Sequence, residues 1–220
     1  MKIVFSLLLS LVLGVSLAQI TYEVGDYSAI EVFDQLNVKL IPSDKNEIQI
    51  MGSKADKVDF INKNNTLKLR MDVTEFLQGD RTSVTVYFKK LNSVRASEGA
   101  VVFADELINA SSLSLNAKEG ASIELEINSI KLDAKSTSAG TIKVAGNADT
   151  QDVVCNAGGI YEAAELKTKI SNVTVNAGGN AQVNATDFVN AKTRMGGNID
   201  IYGTAEVNQS NFAGGNINIH

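Results

Sequence analysis

Asn176-Ala-Gly-Gly179-Asn-Ala181, Met195-Gly-Gly197-Asn-Ile199 and Ala213-Gly-Gly215-Asn-Ile217 are versions of one phrase, and it returns earlier as Arg95-Ala-Ser-Glu-Gly99-Ala100, Asn116-Ala-Lys-Glu-Gly120-Ala121 and Asn156-Ala-Gly-Gly159. With Gly140 included, the series Gly99, Gly120, Gly140, Gly159, Gly179, Gly197 and Gly215 advances in steps of 21, 20, 19, 20, 18 and 18 residues. A period of this size marks a solenoid, in which one short unit cannot bury its apolar face until its neighbours stack on it. Val94 to His220 therefore predicts an all-β chain folded as a right-handed parallel β-helix of about 18–21 residues per coil. A left-handed hexapeptide helix repeats at 18, but the drift of the interval favours the right-handed type, whose corners accept insertions.

Apolar residues recur in matching places around each glycine. After it come Val101 and Phe103, Ile123 and Leu125, Ile142 and Val144, Ala181 and Val183, Ile199 and Ile201, then Ile217 and Ile219; before it come Val153, Cys155 and Ala157, then Val173 and Val175. A third, weaker face is expected from Leu107, Ile127 or Ile130, Leu166, Phe188 and Val207, giving three short strands and three corners per coil. Glycine suits such a corner because it takes positive φ, or a close backbone approach, without steric penalty. Asn180, Asn198 and Asn216 follow the glycine on three successive rungs, where their amides can form a structural ladder rather than a ligand site.

Working towards the N-terminus, alternation already marks strands at Ile30 and Val32, Leu36 to Leu40, Ile48 and Ile50, Leu67 to Met71, and Val84 to Phe88. Ile48, Leu67 and Val86 are 19 residues apart, which extends the coil rhythm upstream of the glycines. Lys54 to Asn62 carries Ala55, Val58 and Phe60 or Ile61 at helical spacing and predicts a short helix. Asn62-Lys-Asn-Asn65 reads as a tight turn, and Pro42 opens a loop. Residues 1–18, with Lys2, the apolar run Ile3–Leu17 and Ser16-Leu17-Ala18, form a signal peptide too short for a membrane span. The organisation expected is a signal peptide (1–18), irregular N-terminal β-coils or a cap (19–93), and a regular glycine-rich β-helix (94–220), continuous as one domain. The mature chain is expected outside the cytoplasm, in periplasm, at the surface or in the medium, without a membrane span.

Charge and residue usage narrow the function. Twenty basic against 25 acidic residues, with no basic run, speak against nucleic acid. One cysteine allows no internal disulfide, and Cys155 falls in the inward register as a buried thiol. The only histidine is His220, read as too frayed for catalysis, and no zinc spacing or cofactor motif is present. Glu98 and Glu119 each precede a ladder glycine and are weak candidates for a calcium-type site, with Lys118 the simpler partner. Asp133, Lys135 and Lys143 lack the clustering of a polysaccharide lyase.

Ile30-Glu-Val-Phe33, Leu36-Asn-Val-Lys-Leu40, Asn65-Thr-Leu-Lys-Leu69, Val84-Thr-Val-Tyr-Phe88 leading to Ala96-Ser-Glu-Gly-Ala100, and Gly214-Gly-Asn-Ile-Asn218 together resemble the head GIN domain family of autotransporter-adhesin-like proteins, secreted by Bacteroidetes-type bacteria. The family commonly writes a Ser-Gly-like pair where this chain has Glu98-Gly99. The resemblance implies a right-handed β-helix and an adhesin-like role, and it carries no active-site residues. A non-enzymatic exported module binding a glycan or protein surface is the expected function. The alternatives are a carbohydrate lyase or hydrolase on the same scaffold, and a structural envelope component that self-associates through its C-terminal rung.

Overall fold

The computed structural model describes residues 19–220, so the expected signal peptide lies outside the described residues. The architecture is a β-solenoid of about seven turns, 69% strand, with no α-helix among the described residues. The first strands are β1 (Gln19–Glu23), β2 (Ala29–Val32), β3 (Asn37–Pro42), β4 (Glu47–Gly52), β5 (Val58–Lys63), β6 (Thr66–Met71) and β7 (Thr82–Phe88). The coils continue through β8 (Ser93–Ala96), β9 (Val101–Phe103), β10 (Ile108–Lys118), β11 (Ser122–Thr137), β12 (Thr141–Asn156), β13 (Ile160–Asn176) and β14 (Asn180–Arg194). They finish with β15 (Asn198–Gly203), β16 (Glu206–Phe212) and β17 (Asn216–Ile219).

From β8 onward each strand lies parallel to its equivalent one coil on, so that like residues pile into columns: Val102, Ile123, Ile142, Tyr161, Ala181, Ile199 and Ile217 form one of them. Columns of Val, Ile and Leu keep β-branched side chains in contact along the axis, and fully burying such a side chain stabilises by about 1.5–3 kcal/mol. Three separate strands per coil do not form. β11, β12 and β13 run 16 or 17 residues between turns and bend without breaking, as at the bulge between Lys143 and Gly146, where Gly146 takes φ 105°.

The third face differs from expectation for the same reason: at a bend the period of two slips. Ile108, Ile127, Gly146 and Leu166 share the inner column, while Leu107 and Ile130 point outward, 42% and 60% exposed. Phe188 stacks with Ile170 on the outside, and Val207 continues the column of Val189.

The N-terminal region departs furthest from the sequence reading. β2 lies between β6 and β8, and β3 between β7 and β9, so the first coil in sequence is the second in space. Outside the β6–β7 coil, β4 runs antiparallel to β7, β1 antiparallel to β4, and β5 antiparallel to β6. These strands close the end of the solenoid. The 19-residue rhythm from Ile48 to Val86 is therefore not a coil: those two residues face each other across an antiparallel pair, and Leu67 sits beside Ile30. Of the expected helix only one 3-10 turn, Ala55–Lys57, is present. Val58 to Lys63 pairs instead with β6, where strand hydrogen bonds and the burial of Val58 outweigh a helical stripe of three apolar residues. Asn64 and Asn65, at φ 52° and 61°, make the tight hairpin turn that asparagine tolerates.

Candidate functional site

The recurrent phrase forms a stack of two-residue turns with both central residues left-handed: Glu98-Gly99, Glu119-Gly120, Ser138-Ala139, Ala157-Gly158, Ala177-Gly178, Met195-Gly196 and Ala213-Gly214. The first five close with a bond such as Gly159 N to Asn156 O at 2.9 Å, and successive turns are joined by bonds such as Gly99 N to Glu119 O at 3.0 Å. The seven ladder glycines thus occupy two different places. Gly99 and Gly120 are the second turn residue, whereas Gly140, Gly159, Gly179, Gly197 and Gly215 stand one position later. At Gly159 positive φ is not the requirement; a Cβ would come within 2.4 Å of Ser136 O on the neighbouring coil. Beyond the turns, Asn180, Asn198 and Asn216 form the expected ladder, with amide bonds of 2.8 and 2.9 Å.

Glu98 and Glu119 stand at equivalent positions in adjacent turns, and the turn of the β2–β3 coil places Asp34 in the same column. The glycine that flagged the glutamates is absent after Asp34, where Gln35 takes its place at φ 61°. Among the described residues no three His, Cys, Asp or Glu side chains converge closely enough to hold a metal ion. Glu119 is instead paired with Lys118 at 3.0 Å. Likewise Asp133 and Asp152 are bridged by Lys131 at 3.1 and 3.2 Å, and Lys143 turns to Glu124. Cys155 is fully buried, as its register required, and burial pushes its thiol up to about 11, partly opposed by a hydrogen bond with Ser136. His220 is not frayed: its ring stacks on Tyr202 with centroids 4.7 Å apart, and Nε2 lies 3.1 Å from Asp200 Oδ1.

Among the described residues an open groove of about 580 Å³ lies on the outer face beside β9. β9 is only three residues long, and the chain then leaves the coil at Ala104. The floor is the outward column Val101, Ser122 and Thr141, and one wall is the column Phe103, Glu124, Lys143 and Glu162. Two ion pairs hold the polar groups in place, Lys39 with Asp105 at 2.6 Å and Lys143 with Glu124 at 2.7 Å. Both lysines are raised above the usual ammonium range, chiefly by the hydrogen bond to their carboxylate partner. The result is a half-buried aromatic ring beside hydroxyls and oriented charges of both signs.

A known family can now be set against this geometry. The family described as "Putative auto-transporter adhesin, head GIN domain" matches residues 26–205. The chain belongs to this family. Among solved structures the head GIN chain is similar to a "putative adhesin" from Bacteroides fragilis, with TM-score 0.86 and 21% identity over 94% of this chain and 98% of that one. It is similar to a second "putative adhesin", from Parabacteroides merdae, with TM-score 0.70 and 21% identity over 91% and 95%. A "putative lipid binding protein" from Parabacteroides distasonis gives TM-score 0.70 at 16% identity over 92% and 96%. At such identities the likeness is one of fold alone, and it spans the cap as well as the coils. A search of curated proteins finds no match.

Proposed function

We propose that this head GIN domain is a non-enzymatic, exported binding module that recognises a neutral glycan in the groove beside β9. The observation that carries the reading is the composition of that groove. A sugar ring offers an apolar face and a rim of hydroxyls; Phe103 suits the first, and Ser122, Thr141, Asp105 and Glu124 suit the second. Asp105, Glu124 and Glu162 against Lys39 and Lys143 leave the site close to neutral, which favours an uncharged polyol over an anionic ligand. Because the coils repeat at about 4.8 Å, a polymer laid along the axis would meet the hydroxyls of Ser122 and Thr141 on two adjacent coils. The ion pairs fix the carboxylates before a ligand arrives, lowering the ordering cost of binding.

The test is a glycan array probed with the wild-type chain and with Phe103→Ala, followed by mass spectrometry of any bound oligosaccharide. Retention of a neutral glycan, weakened at least tenfold by Phe103→Ala and recovered intact, supports the reading. Shortened or eliminated products would move it to a lyase or hydrolase, and retention only of a protein ligand would remove the glycan.

A second reading, self-association through the last coil, is favoured by a separate observation. Among the described residues β16 and β17 are paired on one side only, and Phe212 and Ile219 are 70% and 58% exposed on them. A strand edge without lysine, proline or bulge is poorly protected against pairing.

A further inference from the structure

The strand that precedes each turn carries an outward column that runs from Lys68 through Glu31, Arg95 and Lys135 to Lys192, one coil step for each of seven register pairings. At about 4.8 Å per coil the column is about 34 Å long. Each of its residues stands between buried neighbours and so faces outward. Two residues further on, beside the turns, a second column holds Lys118, Thr137, Asn156, Asn176 and Arg194. Arg95 pairs with Glu31 at 2.7 Å, Lys118 pairs with Glu119 on its turn at 3.0 Å, and Lys68 lies over the Phe33 ring at 4.6 Å. Among the described residues Lys135, Lys192 and Arg194 enter no ion pair, and on the other flank Lys131 takes up both Asp133 and Asp152.

The two columns set Lys68, Arg95, Lys135, Lys192, Lys118 and Arg194 against Glu31, with Glu98 and Glu119 at the turn margin, in a chain whose formal net charge is -5. Carboxylates that would neutralise the stripe are present, but Glu124, Glu126, Glu162 and Asp200 are carried by the strand after the turn. Cations kept together on one face repel one another and build a potential that attracts an anion. We propose that this stripe binds a linear anionic polysaccharide, with its carboxylate or sulfate groups on the cations and its hydroxyls on Asn156, Thr174 and Asn176, which lie between Lys135 and Lys192. A straight row of side chains one coil apart suits an extended chain laid along the axis. The apolar members Phe33 and Val154 are half-buried, which leaves nothing between Lys68 and Lys192 to enter a bilayer, and Lys68 covers the one ring on which a nucleobase would stack. The groove beside β9 lies on the strand after the turn, so the stripe is a second site and stands independently of the reading given to the groove.

Isothermal titration calorimetry of the chain with polygalacturonate, dextran sulfate and neutral dextran, at low and high salt, tests the proposal. The wild type should bind at least one of the two polyanions and not dextran, with an affinity that falls as salt rises. Lys135→Gln combined with Lys192→Gln should weaken that binding by about tenfold, the effect of two exposed charge contacts, and flatten its salt dependence. Lys167→Gln combined with Lys169→Gln removes the same charge from the bend between the faces and should change neither. Tighter binding of polygalacturonate assigns the stripe to carboxylates, and tighter binding of dextran sulfate assigns it to sulfates. Failure to bind either polyanion, equal binding of dextran, or equal losses in the two double variants overturns the proposal. Displacement of the bound polyanion by a lower concentration of duplex DNA or of phosphatidylglycerol vesicles also overturns it, since the stripe would then serve a phosphate backbone or a membrane.

Discussion

Gly158 and Gly159 are neighbours in one turn and should respond to very different extents to the same added methyl group. Gly158 has φ 73°, and a Cβ there meets nothing within 4 Å. Its cost is the left-handed strain of an L-residue, about 1 kcal/mol, and Ala139 already occupies the equivalent position at φ 59° one coil away. At Gly159 the same Cβ lies 2.4 Å from Ser136 O and 2.6 Å from its carbonyl carbon. Ordinary contact begins near 3.4 Å, so the two coils must part by about 1 Å. That movement takes the Ile160 N to Gly140 O bond from 2.9 Å, and the Ala139 N to Ala157 O bond from 3.2 Å, out of hydrogen-bonding range if the turn shifts as a unit. With about 1–3 kcal/mol for each buried group left unpaired, Gly159→Ala should cost about 3–5 kcal/mol. For a chain of this size these figures translate into falls in Tm of about 3 °C for Gly158→Ala and at least 8 °C for Gly159→Ala. Urea and thermal unfolding followed by far-ultraviolet circular dichroism would read both. A cost for Gly158→Ala equal to or above that of Gly159→Ala would refute the division of the glycines into two kinds.

Three further outcomes follow from named contacts. Cys155, buried and with its thiol pushed up to about 11, should resist a thiol reagent at pH about 8 in the native state and react fully in urea, as timed labelling would show. Tyr161 is fully buried and donates to Gln151 Oε1 at 2.6 Å, while Gln151 Nε2 donates to Ser171 Oγ at 2.7 Å; Tyr161→Phe should therefore lower stability in urea by about 1–3 kcal/mol without changing the fold. If the last coil pairs with a second copy, sedimentation should reveal a concentration-dependent dimer that Ile219→Lys shifts to monomer; a single monomeric species at all concentrations would remove that reading.

The coils were legible because their cause is local and repeated. A glycine phrase every score of residues and inward Val, Ile and Leu at matching offsets needed no knowledge of distant contacts, and the asparagine ladder followed from the same register. The N-terminal region was less legible because the spacing of Ile48, Leu67 and Val86 does not say whether strands pair in parallel or antiparallel, or in what spatial order. Once β2 and β3 are inserted between later strands, Asp34 becomes a neighbour of Glu98, a pairing 64 residues apart that no local pattern announces. The glycines were read as one site because a one-residue offset between Gly120 and Gly140 is smaller than the drift of the repeat itself. The groove beside β9 escaped notice for a related reason: Phe103 was assigned to the inward register, whereas Val102 is buried and Phe103 faces the groove.

Chemical-shift mapping with a neutral oligosaccharide is the most direct test of the binding account. Perturbations should cluster at Val101, Phe103, Ser122 and Thr141 and disappear in Phe103→Ala. Saturable shifts confined to another face of the coils, unchanged by Phe103→Ala, would contradict it.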